Sequence, residues 1–115
     1  MRFALAQLRS TTDPRENLAL VTDAASRAAR GGADVVVFPE ATMCSFLRAP
    51  TQIAEAFDGP WASAVRHLAG DLGITIIAGM FTKAPGARVH NTLLATGESE
   101  GRYDKIHLFD ALGQR

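Results

Sequence analysis

One cysteine, one tryptophan and one tyrosine occur in 115 residues, and each scarcity closes off a class of explanation. A single thiol excludes an internal disulfide framework and leaves no sulfur cluster for a structural zinc; this fits a reducing compartment, so a cytoplasmic location is expected. Charge of one sign is missing too. Twelve Lys and Arg cancel twelve Asp and Glu, so no long-range field draws in nucleic acid or an anionic membrane, and neither is expected as a partner. No apolar run approaches the roughly 20 residues of a membrane-spanning helix. Met1-Arg2-Phe3-Ala4-Leu5-Ala6-Gln7 opens like a secretory leader, but Gln7 and Arg9 break it, and no export is expected. Gly31-Gly32, Gly70-Asp71-Leu72-Gly73 and Gly79 form no phosphate-cradling pattern, which disfavours nucleotide binding and a small flavodoxin-like ligand domain. No repeat, linker or low-complexity tract divides the chain, so residues 1–115 read as one unit.

What is present is apolar. Hydrophobic residues make up 47% and charged residues only 21%, with a mean hydropathy of +0.04. For so small a globule this implies surface meant to be covered.

Phe3 to Leu8 reads as a short buried strand running into Ser10-Thr11-Thr12-Asp13. A helix then starts: Asp13 can cap it, Pro14 takes the first helical position, and Glu16 stands three after the cap in a capping-box arrangement. Leu18, Val21, Ala25 and Ala28 share one face, and Gly31-Gly32 closes the helix. Val35-Val36-Val37-Phe38 has no polar alternation, as expected for a strand covered on both faces. The unit then repeats. Asp58-Gly59-Pro60 opens a helix with Trp61, Ala64, Val65, Leu68 and Leu72 on one face, Gly73 ends it, and Ile74-Thr75-Ile76-Ile77-Ala78 is a buried strand. Strand, helix, strand units imply a sheet that is at least partly parallel. His90 to Ala95, the polar turn Thr96 to Gly101, and Arg102 to Lys105 suggest a hairpin. The expected fold class is α/β.

Two residues could carry chemistry. Glu40 follows four apolar residues and Pro39, which cannot donate to a sheet and so marks a strand end, where catalytic groups of α/β sheets collect. It reads as a general base made more basic by apolar walls, or on local grounds as an ordinary capping or ion-pairing glutamate. Lys105 stands between Tyr103 and Ile106-His107-Leu108-Phe109, so its ammonium should be drawn inward, with Glu40 as its partner and a nearby oxyanion as its target. Its bland reading is a snorkelling surface lysine.

Phe3 to Gln7, Val36-Val37-Phe38-Pro39-Glu40, Ile77-Ala78-Gly79, Asn91-Thr92 and Tyr103-Asp104-Lys105-Ile106-His107-Leu108-Phe109-Asp110 together resemble, in order and spacing, the nitrilase superfamily of carbon–nitrogen hydrolases. The resemblance implies an α-β-β-α sandwich, of which this chain would supply the N-terminal half: a mixed sheet with two helices on one face. It also implies a Glu-Lys-Cys triad in which Glu40 is the general base, Lys105 stabilises the oxyanion, and a cysteine attacks an amide, nitrile or carbamoyl carbon to form a thioester. No cofactor and no metal are implied. The nucleophilic cysteine is expected some tens of residues beyond the lysine element, outside residues 1–115. The chain alone is therefore expected to be inactive, and the complete enzyme to be a homo-oligomer acting on a small-molecule substrate. The alternative is a catalytically incomplete fragment with a scaffolding or oligomerising role. After Glu40 the family tends to place a Gly-Tyr pair, whereas this chain has Ala41-Thr42-Met43-Cys44-Ser45-Phe46-Leu47, which leaves the substrate unread.

Cys44 lies four residues past Glu40, but nothing in its flanks offers an oxyanion hole, and it reads as a small, half-buried pocket residue. His67 falls on the polar face of its helix. His90 and His107 form no recognisable metal pair, and His107 could orient the lysine loop or a subunit contact. Asn91 is expected to bond the loop of Glu40 or to be a plain strand-edge amide. Trp61 is expected in the core.

Overall fold

The computed structural model describes residues 1–105. The elements are β1 (Phe3–Leu5), α1 (Pro14–Arg30), β2 (Val35–Val37), α2 (Pro60–Leu72), β3 (Thr75–Lys83), β4 (Val89–Thr96) and β5 (Gly101–Asp104), with a 3-10 turn at Pro50–Gln52. They build one sheet in the order β1-β2-β3-β4-β5. The first three strands run parallel, and β3, β4 and β5 form an antiparallel meander. This is the mixed sheet with two helices expected from the sequence. Among the described residues, no helix is long and apolar enough to cross a membrane.

Both helices lie on one face of the sheet, against each other. Val36, Phe38, Ile76, Ala78, Met80 and Leu94 turn toward them and are fully buried with Val21, Ala25, Trp61, Val65 and Ala69. The indole N–H of Trp61 donates to Pro14 O at 3.1 Å, which ties the start of α2 to the start of α1. The buried stripe of α2 is Trp61, Ala62, Val65 and Ala69, a slight rotation from the predicted face, and Ala64, Leu68 and Leu72 flank it. Gly73 ends α2 with φ +66, a left-handed conformation that suits glycine.

The other face of the sheet is uncovered. In register across it run Leu5, Val37, Ile77 and Ala95, beside a second row of Gly79, Leu93 and Tyr103. Phe3 is 62% and Leu5 77% exposed, which corrects the reading of Phe3 to Leu8 as a buried strand: only three residues pair, at the edge of the sheet. Val37 is likewise half-buried rather than covered on both sides. β3 is longer than predicted, because β4 pairs with it as far as Lys83; on its other side Glu55 N donates to Phe81 O, and Lys83 N donates to Glu55 O.

The start of α1 differs in one detail. Asp13 caps as predicted by accepting from Arg15 N, but its own N–H goes to Thr11 Oγ1 at 3.1 Å, so the reciprocal partner is Thr11 rather than Glu16. Asn17 is the polar member of the stripe that continues through Val21 and Ala25, and it is fully buried. Its amide accepts from Thr11 N at 2.7 Å and donates to Thr11 O at 2.8 Å and Met43 O at 2.9 Å. It therefore staples α1 to the loop after β2. Replacing Asn17 with alanine strands those buried groups and should lower stability by about 1–3 kcal/mol, read as a shifted urea midpoint with an unchanged slope.

Candidate active site

β2 stops where its sequence removes a donor. Phe38 N still donates to Ile77 O at 2.8 Å, Pro39 has no N–H to give, and pairing with β3 resumes only when Met43 N reaches Gly79 O at 3.0 Å. The residues between lift off the sheet and carry Glu40. The Thr42 hydroxyl donates to Pro39 O and closes this excursion. Gly79 makes room for it. A Cβ built at that position would stand 2.8 Å from Glu40 C and O and 3.0 Å from its Cα. Since Gly79 alternates with Ile77 and Phe81, Glu40 lies over the uncovered face.

Lys105 arrives from the other direction. Its N–H donates to Asn91 O at 2.8 Å, which extends the β4 and β5 pairing by one place beyond Asp104. In that register Lys105, Asn91 and Phe81 share the uncovered face. Lys105 Nζ meets Glu40 Oε2 at 2.6 Å, a contact between side chains 65 residues apart in sequence. Both side chains are 46% exposed, so the site is open to solvent among the described residues, and the Lys105 ammonium is not drawn inward. Phe46 lies edge-on to Phe81, the neighbour of Asn91 on that face, with ring centroids 5.7 Å apart. A carboxylate that can take a proton, next to a fixed ammonium, is an arrangement able to activate a nucleophile and hold a developing oxyanion.

Other candidates fare differently. Cys44 is fully buried rather than half-buried. Burial pushes its thiol up, Arg48 opposes this in part and Asp13 adds to it, so the sulfur stays protonated and away from solvent. Asn91 contributes its backbone carbonyl, to Lys105 and not to the loop of Glu40. His67 is exposed on α2, and His107 lies outside the described residues. Among the described residues, no group of three or more His, Cys, Asp and Glu is placed to hold a metal ion.

His90 belongs to a polar cluster that the sequence reading missed. On the helix-facing side of β3, β4 and β5, Thr82 Oγ1 and Thr92 Oγ1 bond at 2.7 Å, and Thr92 Oγ1 donates to Asp104 Oδ1 at 2.8 Å. Arg102 Nε donates to the same oxygen at 3.0 Å, and its Nη2 donates to Thr82 Oγ1 at 3.2 Å. His90 Nδ1 faces Asp104 Oδ2 at 3.4 Å. Desolvation acts to raise the Asp104 carboxyl, but the bonds from Arg102 and Thr92 and the charges of Arg102 and His90 outweigh it and hold it below its ordinary value. The available signal was the pleat: Thr92 alternates with Leu94 and Thr96, all three buried.

The family model described as carbon-nitrogen hydrolase matches residues 2–115. The hydrolase Rv0480c of Mycobacterium tuberculosis is 54% identical over 98% of this chain and 42% of its own length. The chloroplastic omega-amidase of Arabidopsis thaliana is 31% identical over 94% of this chain and 32% of its own. The chain thus spans less than half the length of these relatives. Among solved structures, XC1258 of Xanthomonas campestris, a CN-hydrolase superfamily protein with an arsenic adduct in its active site, superposes with a TM-score of 0.82 at 28% identity, over 99% of this chain and 43% of that one. An alanine-for-cysteine mutant of the amidase from Nesterenkonia sp. AN1, in complex with butyramide, gives a TM-score of 0.78 at 30% identity, over 93% and 43%. Another mutant of that amidase carries the acetamide moiety of fluoroacetamide on its active site cysteine.

Gly79→Ala should push the segment of Glu40 off the sheet, costing about 1–3 kcal/mol of stability and breaking the contact with Lys105; a urea melt and a crystal structure of the variant check both. Asp104 contributes stability that is present above the ordinary carboxylate pKa of about 3.9 and is lost as pH falls through its lower folded value. Asp104→Asn should therefore flatten the acid limb of stability below about pH 4, measured by urea melts from about pH 2.5 to about pH 5.

Proposed function

The chain belongs to the carbon-nitrogen hydrolase family, and on that premise we propose that the complete protein hydrolyses a non-peptide carbon–nitrogen bond, with Glu40 as general base, Lys105 at the oxyanion and a cysteine beyond residue 115 as nucleophile. The observation that carries this reading is the 2.6 Å contact of Lys105 Nζ with Glu40 Oε2, made on a sheet face with room for a further layer. An amide is the favoured substrate, because the amidase relatives act on amides and one was captured with butyramide; nitrile and carbamoyl compounds share the same electrophilic carbon. The acetamide adduct on the Nesterenkonia cysteine supports a thiol as nucleophile.

The steps follow from the groups. Glu40 takes the thiol proton as sulfur bonds to the amide carbon, and the Lys105 ammonium faces the oxygen that becomes negative. When the tetrahedral species collapses, the C–N bond breaks and the leaving nitrogen takes the proton from Glu40. Water then gives a proton to the same carboxylate while its oxygen attacks the thioester. The C–S bond breaks, the thiol regains its proton, and a carboxylic acid departs. The uncovered row of Leu5, Val37, Ile77 and Ala95 fits a second sheet of the same domain packing over it, which would also dry the site and strengthen each charge interaction within it.

Expressed as the complete reading frame, the protein should release ammonia from small aliphatic amides, while residues 1–115 alone release none. Glu40→Gln and Lys105→Met should each lower kcat by about 10²–10⁴-fold in a coupled ammonia assay. A complete protein inactive on amides, nitriles and carbamoyl compounds would leave the scaffolding reading.

A further inference from the structure

Lys105 reaches Glu40 only if β5 pairs in one register, and the apolar pattern of β5 does not choose it. The strand is four residues long, begins with Gly101, and stands last in the described sheet. Around Lys105 it reads Arg102-Tyr103-Asp104, in which Tyr103 is the one apolar body and is exposed. A strand so patterned specifies its register weakly, and a slip of one residue moves every side chain to the opposite face. Here that slip would turn Lys105 toward the helices and set the Asp104 carboxylate against Glu40.

We propose that Asp104 is the positioning residue for Lys105: clamped on the helix-facing side by Thr92 and Arg102, it fixes the register that sends the next side chain to Glu40. This rests on the catalytic reading of Lys105 given above. The clamp is built on hydroxyls that cannot be left idle. Thr82 and Thr92 are each 1% exposed, and buried hydroxyls find partners. Thr92 completes its bonding through Asp104 Oδ1, and Thr82 through Thr92 and Arg102. Arg102 is aimed in turn: its guanidinium lies 4.7 Å from the centre of the Phe57 ring, which also takes Arg66 at 4.7 Å. A slipped β5 would break these bonds together. The correct register keeps them all, with Lys105 N on Asn91 O as the next rung.

The test uses the complete protein. Asp104→Leu removes both acceptors while keeping bulk, and Thr92→Val removes only the hydroxyl, should the first variant fail to fold. Asp104→Asn is the conservative variant: a single amide oxygen can accept from both Thr92 and Arg102, which already share Oδ1. Val65→Ala, in the core away from the lysine, serves as a variant matched for loss of stability. At a temperature where all are folded, Asp104→Leu and Thr92→Val should lower kcat by about 10- to 100-fold with KM changed less than about threefold, and Asp104→Asn should restore most of it. Independently of activity, an amine-directed reagent followed by peptide mass mapping should modify Lys105 faster in Asp104→Leu than in the parent, with exposed Lys83 as the reference. Unchanged kcat, or a loss equal to that of Val65→Ala, overturns the proposal. So does unchanged labelling of Lys105, a result that can be read even if the parent proves to have no hydrolase activity and the catalytic reading itself fails.

Discussion

The two-residue period of the β-strand decides which groups meet in this protein. Residues that alternate toward the helices build the core: Val36, Ile76, Ala78, Met80 and Leu94. Residues one place along point the other way, and among them stand Gly79, Phe81, Asn91 and Lys105. Through β2, β3 and β4 the apolar demands of one face thus fix what the opposite face can present. Glu40 joins this second set from a loop, because Pro39 ends the pairing of β2 and the bare face of Gly79 lets the backbone pass close by.

The contact between Glu40 and Lys105 does not hold itself together. A half-exposed ion pair is worth about 0–1 kcal/mol, too little to order two chain segments against their conformational entropy. The ordering comes from elsewhere. Asn17 and the bond of Met43 N to Gly79 O hold the loop of Glu40. Thr92, Arg102 and Asp104 hold the end of β5. The charged groups are delivered by parts of the molecule that are buried or fully bonded, and so remain available for chemistry.

What could be read from the sequence was whatever depends on local period and local chemistry. The two strand, helix, strand units, the proline starts of both helices, the hairpin, and Glu40 and Lys105 as strand-end groups all belong to that class. The shortening of β1 and the exposure of Phe3 and Leu5 do not, since an apolar run reads alike whether or not another layer covers it. The close approach at Gly79 was equally hidden, because it depends on where a distant loop crosses the sheet. Asn17 was within reach: it stands at helical spacing from Val21 and Ala25, and a polar side chain in an apolar stripe calls for a buried partner. Asp104 and Thr92 come together only once β4 and β5 pair in register, which no single segment reveals.

Asn17 has a consequence for how the molecule breathes. Its one amide satisfies Thr11 at the entrance of the first helix and Met43 beyond Glu40, so neither segment can open without releasing the other. They form one cooperative unit for local unfolding. A ligand that quiets the loop would slow hydrogen exchange in the first turn of the helix as well, at amides it never touches, through a shared opening equilibrium.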